Sequence, residues 1–126
     1  MIELYFLVSV FVGIAVIVDG VVLYKAKGVC WTNKIQSFTT TIEFLWVIAS
    51  VIAVFTLEFS QLQILIPSLY VAHNIFGWAY GSYLVSKSPE VKNGTERLVI
   101  PYWYLMFGLT VGIVFSISSL YALILL

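Results

Sequence analysis

Four long apolar segments, residues 4–24, 36–57, 61–85 and 100–126, occupy almost the whole chain. An α-helix rises about 1.5 Å per residue, so about 20 apolar residues cross the hydrocarbon core of a bilayer. Each segment reaches that length. Little is left over for a soluble domain, so any chemistry must come from within the helices, from the short links or from a partner. Composition points the same way: 62% of residues are hydrophobic and 10% charged, where a soluble domain is nearer half apolar and a quarter charged. The expected fold is all-α, a polytopic integral membrane protein. Residues 1–126 form one membrane domain, a four-transmembrane-helix bundle with links at 25–35 and 86–99.

The start, "MIELYFLVSV", carries Glu3 and no Lys or Arg. A secretory signal has a basic start and a small-residue cleavage site, so the first segment is expected to stay as helix one. Cys30 is the only cysteine, which excludes an intrachain disulfide and a paired-cysteine redox centre. The zero net charge is silent about nucleic acid, but no basic patch of useful size exists, so the chain is not expected to bind it.

The six basic residues are sorted by side. Lys25, Lys27 and Lys34 follow the first segment, and Lys87, Lys92 and Arg97 follow the third. The opposite side carries only Glu3 and Glu58. Short links rich in Lys and Arg stay cytoplasmic. The chain is therefore expected in the cell membrane as a multi-pass protein, with both termini extracytoplasmic. Tyr24 and Trp31 near the end of helix one, and Tyr102, Trp103 and Tyr104 after Pro101, suit the headgroup zone of that inner face. The outer link "LEFSQ" is short enough for a tight helical hairpin. Asn93-Gly94-Thr95 matches a glycosylation acceptor, but on the cytoplasmic side it reads as a turn. No internal repeat relates the two hairpins, which speaks against an inverted-repeat transporter.

Four polar side chains interrupt the apolar segments: Asp19, Glu43, His73 and Asn74. Such residues are costly in a bilayer, and each is by default a functional hypothesis. Helical rise puts Asp19 roughly 9 Å and Glu43 roughly 13 Å below the inner surface, with His73 near the midplane. Gln36, Thr39, Thr40, Glu43, Ser50 and Ala53 share one face of helix two; Tyr70, His73, Asn74, Gly77, Tyr80 and Gly81 share one of helix three. Pro67, six residues before His73, is expected to free the Gln63 carbonyl and kink helix three.

Three readings of these residues follow. In the first, they tie helices together: His73 and Asn74 pair with helix two or four, and Asp19 with Thr40 or a linker lysine. In the second, Glu43, Asp19 and His73 form a proton or cation path, although the outer half offers no matching acid or base. In the third, His73 gives one ligand to a shared metal, haem or quinone site. A closed metal or haem site needs more donors than one His without a second His or a Cys pair supplies. The carboxylates are also expected to lie offset from the ring. His73 is the only metal-ligand candidate, and no cofactor of the chain's own is expected.

Small residues recur at spacing four: Gly77 and Gly81 on helix three, Gly108, Gly112 and Ser116 on helix four, Ser9 and Gly13 on helix one. Such stripes let helices approach closely in lipid. The expected function is a small, non-catalytic accessory subunit of a larger membrane enzyme complex, of the respiratory or monooxygenase sort. Its partners would be the lipid bilayer and other membrane subunits, with a homo-oligomer as second choice. The alternatives are a small oligomeric channel or transporter for protons or a small cation, and the one-ligand contributor.

Overall fold

The computed structural model describes residues 1–25, 27, 29–30, 34–87 and 98–125. Four helices carry the fold: α1 (Ile2–Lys25), α2 (Lys34–Thr56), α3 (Leu65–Lys87) and α4 (Tyr102–Leu125). Two two-residue strands join them, β1 (Val29–Cys30) and β2 (Leu98–Val99). They pair antiparallel, Val29 opposite Val99 and Cys30 opposite Leu98. This small pair was not expected from the sequence. It brings the two basic links together at one end of the bundle, the strand end, and lets their backbone groups satisfy each other. The features expected at Trp31, Lys92, Asn93–Thr95 and Arg97 lie outside the described residues.

Among the described residues, Ile2–Lys25, Phe38–Thr56 and Tyr102–Leu125 are long and apolar enough to cross a membrane. The expectation of four apolar spans thus holds for three. With 23 residues α3 is long enough, but Pro67, Ser68, His73, Asn74, Tyr80 and Ser82 dilute its apolar character. The outside of the molecule is apolar in turn. Phe11, Phe38, Leu45, Phe55, Ile117 and Ile124 are each more than half exposed, far beyond what a soluble monomer leaves in water.

Helix ends follow local chemistry. Glu3 in the first turn of α1 and Lys25 in its last complement the helix dipole. The chain leaves α1 through Lys27, which is left-handed at φ 57° and donates its N–H to the Tyr24 carbonyl at 3.0 Å. Between α2 and α3, Ser60 and Gln63 form a reciprocal capping box. The Ser60 N–H donates to Gln63 Oε1 at 3.0 Å, and the Gln63 N–H to Ser60 Oγ at 3.1 Å. The kink expected at Pro67 is not needed. Pro67 lies in the first turn of α3, where a missing N–H is harmless, and the Gln63 carbonyl accepts from the Ile66 N–H at 3.1 Å.

The helices run alternately up and down. Tyr5 and Phe6 of α1, Ala53 of α2 and Ala122 of α4 share one core cluster at the end opposite the strands, the terminal end. A second cluster, Val12, Val47, Tyr70 and Phe115, sits deeper. α1 packs most extensively on α4, and α3 packs on α4 much less than α1 does. The α1–α4 seam depends on glycine. A Cβ added at Gly13 would collide with Ser116; one at Gly112 would lie 2.9 Å from Val16 Cγ1, and one at Gly20 2.7 Å from Leu109 Cδ2. Close approach of this kind maximises dispersion contact where no hydrophobic force acts between helices.

Candidate functional site: an acid-lined cavity between the helices

Aromatic and serine side chains make most of the hydrogen bonds seen between helices among the described residues, and one acid, Asp19, joins them through Thr39. Tyr5 Oη and Ser50 Oγ lie 2.8 Å apart, linking α1 to α2. Trp46 Nε1 donates to Ser9 Oγ at 3.0 Å, linking the same pair. Tyr70 Oη donates to the Glu43 backbone carbonyl at 2.8 Å, linking α3 to α2. The cross-helix role expected of His73 and Asn74 is corrected accordingly. Asn74 Nδ2 donates to the Tyr70 carbonyl of its own helix at 2.9 Å, and buried His73 Nδ1 has no hydrogen-bond partner among the described residues. The Asp19 carboxyl is bonded by buried Thr39, the residue next to the expected Thr40.

What the polar residues share is a cavity of about 240 Å³. All four helices contribute to its wall: Asp19 from α1, Thr40 and Glu43 from α2, His73, Asn74 and Trp78 from α3, Tyr104 from α4. Gly20, Gly77 and Gly108 complete it. Of these three, Gly108 leaves the void open, since a Cβ there meets nothing within 4 Å, whereas Gly20 and Gly77 lie close against Leu109 and the Tyr104 hydroxyl. Asp19 and Glu43 are near enough to interact electrostatically. His73 lines the same cavity as the two carboxyl groups, and no three His, Cys, Asp or Glu side chains among the described residues come together as a metal site.

The cavity has two unlike ends. Toward the terminal end, one turn before Asn74, Tyr70 is fully buried and stacks on Phe115 at 4.7 Å between ring centres. With Val12 and Val47 this pair makes an apolar plug. Toward the strand end, Ile100 and Leu105 belong both to this wall and to that of a neighbouring cavity of about 460 Å³. The second cavity carries Tyr24, Lys25, Lys27 and Tyr102. The acid-lined space is thus separated from the basic rim by two aliphatic side chains.

The small residues divide by role. Gly112 and Ser116 lie in the α1–α4 seam, as does Gly13. Gly77 meets the Tyr104 hydroxyl, 2.8 Å from where its Cβ would be, while Gly81 and Gly108 have no atom within 4 Å of theirs. Some of the small-residue faces are thus used inside the chain and others are not. Sequence reasoning passed over Trp78 and Tyr104 as cavity walls and Tyr70 as the plug. Trp78 follows Asn74 by four residues, so helical spacing alone places it on the polar face.

No family model, curated protein or solved structure matches this chain.

Proposed function

We propose that this chain is a small four-span protein of the cell membrane, with both termini outside, whose interhelical cavity is a station for a proton or small cation in transport. One observation carries the reading: Asp19, Glu43, His73 and Asn74, the four polar residues that hydrophobicity alone would have removed, line a single cavity. Side chains retained only to tie helices would each have found a partner on the next helix; Asp19 has one in Thr39, whereas His73 Nδ1 has none among the described residues and Asn74 bonds the backbone of its own helix. Two carboxyl groups near each other in one cavity repel when both are ionised, and a proton or cation relieves that repulsion.

The topology rests on the positive-inside pattern together with the β1–β2 pair, which holds the two basic links at one end. Ions would enter from that end past Ile100 and Leu105. The Tyr70–Phe115 plug is the barrier on the outer side, and its displacement is the step that transport requires.

The test is flux in proteoliposomes. Purified protein is expected to raise proton or monovalent cation flux above empty vesicles, and Glu43→Gln and Asp19→Asn to abolish it in folded protein. Absence of flux in wild type, or flux indifferent to both substitutions, sinks the reading.

The accessory-subunit reading stays as a second proposal. The observation in its favour is Gly81, a bare helix face with nothing packed on it, open to a helix of another subunit. Native mass spectrometry after gentle extraction tests it; recovery with large heterologous partners supports it, and a free monomer or homo-oligomer removes it.

A further inference from the structure

We infer that the ligand of the acid-lined cavity is a small organic cation, an ammonium carrying a compact apolar body, rather than a bare metal ion. This rests on the cation-station reading above and names the chemistry of that same site.

Size argues first. The cavity's 240 Å³ would hold about eight waters at their liquid volume of roughly 30 Å³ each. A dehydrated metal ion would leave most of that space empty, yet the space falls short of the roughly 300 Å³ at which drug-sized pockets begin. A cation of a few heavy atoms fits between these limits.

Ligand geometry argues next. A metal ion held by protein needs several donors converging at defined angles, and no such group of three forms among the described residues. A polyatomic ammonium needs only charge on one side and a matching surface on the others. Asp19 and Glu43 supply the charge from α1 and α2. Trp78 and Tyr104 stand on α3 and α4, the aromatic wall that attracts ammonium groups through the ring quadrupole.

One further observation points into the same space. Gly108 lines the cavity, and a Cβ built on it meets nothing within 4 Å. A side chain at 108 would therefore occupy ligand space while leaving both carboxyl groups in place.

Isothermal titration of the purified full-length protein in nanodiscs, with ethylammonium chloride and separately sodium chloride and potassium chloride, tests the inference. Ethylammonium is expected to bind at least about tenfold more tightly than sodium or potassium. Glu43→Gln should weaken it by at least about thirtyfold, the lower end of the effect of removing one partner of a buried charge pair. Gly108→Val should weaken it by at least about tenfold through lost volume. Trp78→Leu, read the same way, serves if the valine variant fails to fold by circular dichroism. Binding of ethylammonium that ignores Glu43→Gln and the wall variant would overturn the inference by placing the ligand elsewhere. Sodium or potassium bound as tightly as ethylammonium, with loss in Glu43→Gln, would overturn it while the cation-station reading survives. If no cation binds and Glu43→Gln changes neither binding nor proton uptake, both readings fall.

Discussion

The phenol of Tyr70 donates to the backbone carbonyl of Glu43 at 2.8 Å. One residue therefore contributes twice to the cavity: its side chain to the wall, and its carbonyl to the ring that closes the terminal side. Tyr70 is 0% exposed and stacked on Phe115, so the bond also sets the distance between α2 and α3 beside the acid pair. Removing the hydroxyl in Tyr70→Phe should leave the plug's shape and lower stability by about 1 kcal/mol. Tyr70→Ala should lower it by about 3 kcal/mol or more and make vesicles leaky. Thermal unfolding in detergent and dye leakage from proteoliposomes read the two effects separately. Equal loss in both variants would show that the hydroxyl, not the ring, carries the contact.

Glycines of the same residue type should respond oppositely. Gly13→Ala drives a methyl group into Ser116 and that residue's backbone, so helix separation must increase, at a cost of about 1–3 kcal/mol. Gly81→Ala meets nothing within 4 Å and removes a mid-helix glycine, which should stabilise the monomer by about 0.5–1 kcal/mol. Denaturation curves of the two variants side by side decide the matter. A destabilised Gly81→Ala in the isolated chain would contradict the packing described.

The α2–α3 turn should depend on two side chains. Ser60→Ala or Gln63→Ala breaks one half of the reciprocal cap, at an expected cost of about 1 kcal/mol. Because each bond needs a different partner, the double variant should lose more than either single. Hydrogen exchange at residues 60–66 is the local measurement, and unchanged protection there would argue that water replaces the cap at no cost.

Topology has its own check. In a Cys30→Ser background, cysteine placed at Glu58 should react with a membrane-impermeant maleimide in intact cells, and cysteine placed at Lys27 only after the membrane is opened. Both positions are exposed in the fold. The reverse pattern would invert the orientation and with it the direction from which the cavity fills.

Much of the architecture was legible because its signals are local. Hydropathy over some 20 residues marks a span wherever the helix ends up. Lys and Arg identify links by their side, and Ser60-x-x-Gln63 is readable as a helix start although the emphasis fell on Pro67. The polar residues announced themselves as anomalies for the same reason. Their partners did not. His73 and Asn74 were expected to reach other helices, and the bonds that do so belong to Tyr5, Trp46, Tyr70 and Asp19.

By itself the sequence determined that this protein is helical, apolar on its outside, and burdened with four polar side chains that need a reason. Tertiary structure decided how each helix is rotated about its axis, and everything functional follows from that rotation. A helix that is apolar nearly all round has no strong amphipathic face to orient it. Rotation is left to packing, and the packing of α1 on α4 is set where Gly13 meets Ser116 and Gly112 meets Val16. Gly108 and Gly112 stand one turn apart and look equivalent in the sequence. Tight contact with α1 claims Gly112, whereas Gly108 faces the space beside loosely packed α3 and becomes the floor of a cavity. Which glycine closes a seam and which opens a site is a property of four helices together.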